Sequence, residues 1–188
     1  DAGERVVVDA GGLARLAERW PQLRTWLEET HPGALDGRVT LLEGDPWAID
    51  LGLSGAEFRA LTAEVEIIHH AAHIEHPSVR QNTAERLHVQ ATREVLELAR
   101  ACTKLRVLVH HSTTYISGDR RGLVLESELD LGQKPRNAIE ATRLHAEKLV
   151  QRASKSLPIV VMRPSTLVGD SRTGAVDRLD GAYLLVLL

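Results

Sequence analysis

The 188-residue sequence predicts an α/β fold, a doubly wound parallel sheet with helices on both faces. Two observations carry this prediction. Short apolar runs rich in Val and Ile alternate along the chain with stretches whose apolar residues recur at helical spacing, an order typical of parallel sheets with crossover helices. The run over 107–109 also stops abruptly at polar residues 110–114, as a buried parallel strand does at the edge where such sheets bind ligands.

The first part of the chain predicts two strands and an intervening helix. Residues 5–8 form a short β-branched strand that ends at Asp9, and a glycine pair then turns the chain into an amphipathic helix over 13–29. A second strand is expected over 38–42, and Asp45 follows it after a glycine. Both aspartates therefore stand just beyond the carboxyl end of a predicted strand.

The middle of the chain predicts a helix, a third strand and a crossover helix. Ser54 and Glu57 have the spacing of a capping box, which begins a helix that ends near residue 63. A strand over 65–68 closes at the sequence HHAAH, 69–73, whose small alanines let a ligand approach the strand end. The following helix, 87–101, has an apolar stripe at helical spacing and returns the chain to the next strand.

The central strand, 107–109, delivers the hydroxyl groups of Ser112 and Thr113 at its carboxyl end. An amphipathic helix over 137–150 follows, and its period predicts that it packs on the sheet. A last strand is expected over 159–162. An α/β enzyme would have its reactive groups at the carboxyl end of this strand and on the helix that follows it.

Composition and charge indicate a single globular domain, assigned to residues 1–188. The chain is 43% hydrophobic and 26% charged, with a formal net charge of −3 and both signs interspersed. That pattern leaves no basic stripe for nucleic acid and no basic cluster for a membrane surface. The single cysteine, Cys102, cannot form an internal disulfide, so we expect a reducing, cytoplasmic setting.

Neither end of the chain predicts a membrane anchor. The final seven residues, AYLLVLL, are apolar but too few to span a bilayer, and the start has no secretion signal. We interpret the apolar end as the first turns of a helix, and we expect both ends to be cut from a longer parental fold.

Segments distributed along nearly the whole chain resemble the extended short-chain dehydrogenase/reductases. The resemblance is strongest to the male sterility, NAD-binding branch, which contains fatty acyl-CoA reductases and thioester reductase domains. The segments, in the family's order, are LLEGD (41–45), HHAAH (69–73), LHVQATREVLELA (87–99), VHHSTTYISGD (109–119), NAIEATRLHAEKLV (137–150) and VVMRPSTLVGDSRTG (160–174). The resemblance implies a Rossmann-like fold.

The resemblance also implies a groove for NAD or NADP. The positions that it places against the cofactor are Asp9, Asp45, Ala71, Ala72, Arg163, Pro164 and Ser165. Asp9 would hydrogen-bond the adenosine ribose, which favours NAD, and Asp45 would lie near the adenine ring. Both aspartates suit strand-end turns equally well, so the sequence leaves the two roles open.

The chain departs from the family at its catalytic positions. The family's tyrosine, and the lysine four residues after it, fall at Ile139 and Arg143 in this sequence. Ser112 and Thr113 retain the hydroxyls that would hold a substrate carbonyl, and His88 stands where the family usually has an asparagine. Nothing in the chain matches the glycine-rich phosphate loop G-x-G-x-x-G, and the chain opens in what resembles the family's second strand.

These departures predict that oxidoreductase activity is lost. Ile139 cannot donate a proton, and the planar guanidinium of Arg143 does not reproduce a lysine point charge. General acid catalysis alone contributes on the order of 100- to 10,000-fold. We therefore expect a degenerate reductase-type domain with a structural, scaffolding or ligand-binding role. The alternative is a fragment of an active NAD(P)H-dependent reductase of acyl thioesters or other carbonyl substrates, completed by sequence outside this chain.

Three further expectations concern partners and other chemistry. A sheet without its first strand exposes unpaired edges, so we expect a homo-oligomer or another chain to cover it. A metal site would need the clustered histidines, which are His69, His70, His73, His76, His110 and His111. Because side chains alternate across a strand, at most one of each adjacent pair faces the same side, and we assign no metal. A Ser-His hydrolase has weaker support still, because Ser112 lacks the G-x-S-x-G elbow.

Overall fold

The structure is a computed structural model that describes most of the chain after residue 41. The described residues are 42–74 and 79–174, with isolated positions at 21, 25–26, 28–30, 32–33, 40 and 183. Asp9, the strand expected over 5–8, His76, and most of the elements expected over 13–29 and 38–42 lie outside the described residues. Among the described helices, none combines the length and apolarity needed to cross a membrane.

Within residues 42–74 and 79–174, the sheet has three parallel strands, in the order in which they occur in the chain. They are β1 (Ile67–His70), β2 (Val107–His111) and β3 (Ile159–Met162). The α/β class and the parallel sheet are as predicted, but β1 begins and ends two residues later than the expected 65–68, and β2 continues past residue 109. Both strands therefore include histidines that the sequence analysis placed beyond the strand ends.

In the part of the chain after residue 41 that the structure describes, three helices connect and cover these strands. They are α1 (Gly55–Glu64), α2 (81–101) and α3 (Ala138–Ala153), with 3₁₀ turns at Ile49–Gly52 and Thr114–Ser117. The predicted capping box begins α1: the Ser54 hydroxyl accepts from the Glu57 amide, and the Glu57 carboxylate accepts from the Ser54 amide. The Asn137 side chain caps α3 by accepting from the Glu140 amide.

Helix α2 is longer and less regular than the predicted 87–101. It starts at Gln81 and contains a π-helical segment, Glu85–Gln90, between two α-helical parts. Such segments are rare and are frequent at functional sites. Here the segment carries His88, which is only 3% exposed.

The core lies between one face of the sheet and the helices that pack on it. Its buried residues, from both the strands and the helices, are Leu61, Ile68, Val95, Leu96, Leu98, Ala99, Leu108 and Ala153. On the opposite face, set by the period of two along each strand, Ile67, Val160 and Met162 are each about half exposed. The prediction that a second chain covers the sheet stays a prediction.

Candidate functional site

The histidine pairs at the ends of β1 and β2 divide between the two sheet faces. His70 and His110 are paired in register, 6% exposed each, with ring centroids 5.3 Å apart. His69 and His111 point to the other face, where the Nδ1 atom of His69 lies 3.1 Å from the Nε2 atom of His111. The expectation that adjacent histidines face opposite sides is confirmed.

The inner histidines border a small polar cavity between the sheet, α2 and α3. Its volume is about 10 Å³, about the space of one water molecule. The residues that line it are His70, Ala72, His88, Thr92, His110, His111, Ser112, Arg143 and Ala146. The cavity lies at the carboxyl ends of β1 and β2, the edge that the sequence predicted for the site.

Hydrogen bonds assign the proton positions on two of these imidazoles. Thr92 donates its hydroxyl proton to the His88 carbonyl at 2.6 Å, so it accepts from Nε2 of His70 at 3.0 Å. The Nε2 atom of His88 accepts from the Ile74 amide at 3.1 Å, which leaves Nδ1 to donate to the Thr142 hydroxyl at 2.8 Å. His88 thus joins the π-helical segment to α3 and to the chain after β1.

Burial keeps the imidazoles of His70, His88 and His110 neutral at pH 7. It lowers the pKa of His70 to about 4 and, with the Arg143 guanidinium as the next cause, that of His88 to about 3. The pKa of His110 also falls to about 3, first through burial and then through His70 and Arg143. Among the described residues, Nδ1 of His110 is the buried side-chain atom that has no hydrogen-bond partner.

Helix α3 places Ile139 and Arg143 one turn apart, at the positions that the resemblance assigns to the family's tyrosine and lysine. Ile139 is partly buried and has no ionisable group. Arg143 is 8% exposed, and its Nη1 atom donates to the backbone carbonyl of His111 at 3.4 Å. The cation is therefore directed at the end of β2.

The two retained hydroxyls are both engaged in internal hydrogen bonds. Ser112 is 3% exposed and donates to Oε2 of Glu147 at 2.5 Å. Thr113 caps the 3₁₀ turn by accepting from the Tyr115 amide at 3.3 Å. The Ser112 proton is thus directed to a carboxylate of this chain.

Glu147 brings together residues that the sequence analysis assigned separately. It is 2% exposed, and its Oε1 atom accepts from Nε of Arg163 at 2.9 Å and from Nη2 of the same guanidinium. Arg163 also donates through Nη1 to the carbonyls of Glu126 and Glu128, at 3.0 Å each. Sequence reasoning missed Glu147, although a charged residue three positions after buried Leu144 was a usable signal.

The rest of the predicted turn after β3 lies at the surface. Pro164 and Ser165 are exposed, and the Pro164 carbonyl accepts from the Thr114 amide at 3.1 Å. The hydroxyls of Tyr115 and Thr166 are in contact. These contacts hold the segments that follow β2 and β3 against each other.

An apolar cleft of about 110 Å³ lies on the other side of β1 from this network. Its lining residues are Leu42, Gly44, Leu51, Leu53, Ile68, His69, His70, Ala71, Ala72, Val95 and Leu98. The structure therefore brings Ala71 and Ala72 to one cleft, and their contact with a cofactor stays a prediction. Asp45 has the turn role that the sequence left open, because its Oδ1 atom accepts from the Trp47 amide at 3.2 Å.

Known proteins resemble this chain along most of its length. An NAD-binding family described as "Male sterility protein" matches residues 8–188. The fatty acyl-CoA reductase wat of Drosophila melanogaster is 25% identical over 171 residues, which are 78% of this chain and 33% of that protein. An alcohol-forming fatty acyl-CoA reductase of Simmondsia chinensis is 29% identical over 97 residues, 51% of this chain and 20% of its own length.

Among solved structures, the chain is similar to the terminal R domain from the myxalamid PKS-NRPS biosynthetic pathway. The TM-score is 0.79 at 27% sequence identity, over 97% of this chain and 47% of that one. The chain therefore spans about half of this solved domain, and a fifth to a third of the two curated relatives.

Proposed function

The chain belongs to the NAD-binding family described as male sterility protein, and from that premise we propose a reductase-type domain that binds a ligand without catalysing hydride transfer. The observation that carries the proposal is the pair Ile139 and Arg143 on α3. Hydride transfer to a carbonyl needs a proton donor beside the oxygen, and Ile139 has no proton to give. Arg143 is buried and directed at the His111 carbonyl.

Among the residues that the structure describes, the tyrosines and Ser112 are engaged elsewhere and do not replace the proton donor. The sequence has two tyrosines: the Tyr115 hydroxyl contacts Thr166, and the Tyr183 hydroxyl accepts from the Gly169 amide at 2.5 Å. The Ser112 proton is donated to Glu147. Loss of a general acid costs on the order of 100- to 10,000-fold in rate, so turnover is expected to be negligible.

The cleft beside β1 fits the adenosine part of a dinucleotide, whereas the residues at the carbonyl position do not fit its nicotinamide part. The cleft beside β1 is lined by leucines and by the small side chains of Ala71 and Ala72, which suits a flat, largely apolar base. At the position for carbonyl chemistry, Ile139 and Arg143 do not fit the cofactor's reacting end. A role in binding the adenosine part of a nucleotide is therefore the function that these residues support best.

A second candidate is a piece of a longer reductase of acyl thioesters or other carbonyl compounds. The partial coverage of the curated relatives, 20% and 33% of their lengths, favours it. Residues outside this chain would then supply the phosphate-binding loop and the proton donor. In that case Ile139 would lie beside a donor from elsewhere in the protein.

Calorimetric titration of the complete chain with NADH, NADPH and adenosine diphosphate, beside an acyl-CoA reduction assay, tests the proposal. We expect binding without turnover. Ala71→Leu fills the cleft and should weaken binding, whereas Ala101→Leu, at an exposed position on α2, should not. Acyl-CoA-dependent oxidation of NADPH would overturn the loss of catalysis, and absence of all nucleotide binding would overturn the ligand role.

A paired substitution separates the two candidates. Ile139→Tyr with Arg143→Lys restores the family's pair, and Ile139→Phe with Arg143→Lys differs from it only by the phenol hydroxyl. If the remaining network is structural, both variants stay inactive, because the Ser112 proton is still directed to Glu147. Reductase activity in the tyrosine variant alone would show that the rest of the site is intact.

A further inference from the structure

The outer histidine pair has a geometry that the proposed ligand role does not use. We propose that Nδ1 of His69 and Nε2 of His111 bind a divalent transition-metal ion such as Zn²⁺, with water completing the coordination. The two residues lie at the carboxyl ends of β1 and β2, with their side chains on the sheet face opposite those of His70 and His110. The bound ion would join the two strands at the mouth of the cleft.

The distance between the two nitrogens suits a shared metal. They are 3.1 Å apart, with ring centroids at 5.4 Å and an interplanar angle of 39°. Zinc binds imidazole nitrogen at about 2.0–2.1 Å, so two nitrogens at this separation subtend about 100° at the ion, close to the tetrahedral angle. Imidazole is a preferred ligand for zinc, copper and nickel.

The setting of the pair leaves room for the ion and its water. His69 is exposed and His111 is partly exposed, so the remaining coordination positions face solvent. Within the described ranges no group of three or more candidate ligands occurs, so the described residues offer the ion two protein ligands. Its affinity is therefore expected to be far below that of four-coordinate structural zinc sites.

Zinc titration of the complete, chelator-treated chain tests the site by calorimetry. We expect one Zn²⁺ per chain, and His69→Gln or His111→Gln should each weaken binding at least about 10-fold, the smallest loss that even outer-shell changes cause. His145→Gln is the matched control, because His145 is an exposed histidine on α3 that contacts Glu85 instead. Absence of binding by the parent chain, or equal loss in the control, would overturn the proposal and leave a hydrogen bond only.

Two further measurements keep the result independent of folding and of the proposed ligand role. Zn²⁺ should raise the melting temperature of the parent chain and not that of the His69→Gln/His111→Gln variant, since an ion bound only to the folded state stabilises it. Cu²⁺ added alone should give an electron paramagnetic resonance spectrum with coupling to two nitrogens. A spectrum without that coupling would contradict the pair, whatever the outcome of nucleotide titrations.

Discussion

The cleft beside β1 and the polar network between β2 and α3 lie at the same edge of the sheet but differ in what they offer a ligand. The cleft is apolar and holds about 110 Å³ of space, whereas the polar cavity holds about 10 Å³. In the network, Ser112, Glu147 and Arg163 bond to one another. A site whose polar groups pair internally stabilises the fold but has little left for a substrate, so binding and catalysis can be lost separately.

The largest expected effect is the loss of folding stability in acid, which acts through the buried histidines of the polar cavity and not through the apolar cleft. Each inner histidine has a pKa of about 3 to 4 in the folded chain and about 6.5 when unfolded. Because unfolding then takes up protons, the stability present above pH 6.5 is lost as the pH falls towards 4, at up to about 1.4 kcal/mol per pH unit for each histidine. Urea unfolding at pH 7.0, 5.5 and 4.5 measures this slope.

Single variants separate this effect from general titration. His110→Gln should flatten the dependence by about one proton, because it removes one depressed pKa. Ala101→Leu, at an exposed position without an ionisable group, is the control and should keep the parent's dependence. Equal slopes in the parent and in His110→Gln would show that protonation of the buried histidines does not cause the loss of stability in acid.

Removing Glu147 should be the most destabilising single change. Glu147→Ala leaves the Arg163 guanidinium without its carboxylate and Ser112 without its acceptor, and breaking a buried ion pair costs about 3–5 kcal/mol. Glu97→Ala removes an ion pair with Arg100 whose side chains are 67% and 45% exposed, and should cost less than about 1 kcal/mol. Chemical denaturation of both variants measures the difference, and similar losses would mean that the network is not structural.

Replacing His88 should have an intermediate effect. His88→Leu fills the site with an apolar side chain but leaves the Ile74 amide without its acceptor and removes the donor to Thr142, at a cost of about 1–3 kcal/mol. Hydrogen exchange of the Ile74 amide should accelerate. His88→Asn retains an acceptor and should lose less; unchanged exchange in His88→Leu would contradict the assigned hydrogen bond.

Tyr115→Phe should have the smallest effect. The Tyr115 side chain is 46% exposed, and its hydroxyl contacts Thr166 at the surface. Surface changes of this kind usually alter the free energy of unfolding by no more than about 0.5 kcal/mol. If a longer form of the protein reduces a carbonyl substrate, the rate should not change; a large loss would identify Tyr115 as the proton donor.

Local patterns predicted the order of the elements but not their bounds at the site. The capping box of Ser54 and Glu57 is visible in the sequence because both of its hydrogen bonds lie within four residues. The ends of β1 and β2 were placed too early because His70 and His110 are polar. Thr92 on α2 hydrogen-bonds the buried His70 imidazole and so offsets the cost of its burial. A partner so far away along the chain cannot be recognised from the residues around His70.

The sequence by itself determined the chemical identity at the proton-donor position, since Ile139 lacks an ionisable group in any conformation. It also determined which strand residues share a face, because that follows from a period of two. Only the tertiary structure decided that Ser112, Glu147 and Arg163 meet, since they are separated by 35 and 16 positions along the chain. The physical reason is that a buried polar group is stabilised by whichever partner the packed helices and strands bring within hydrogen-bond distance.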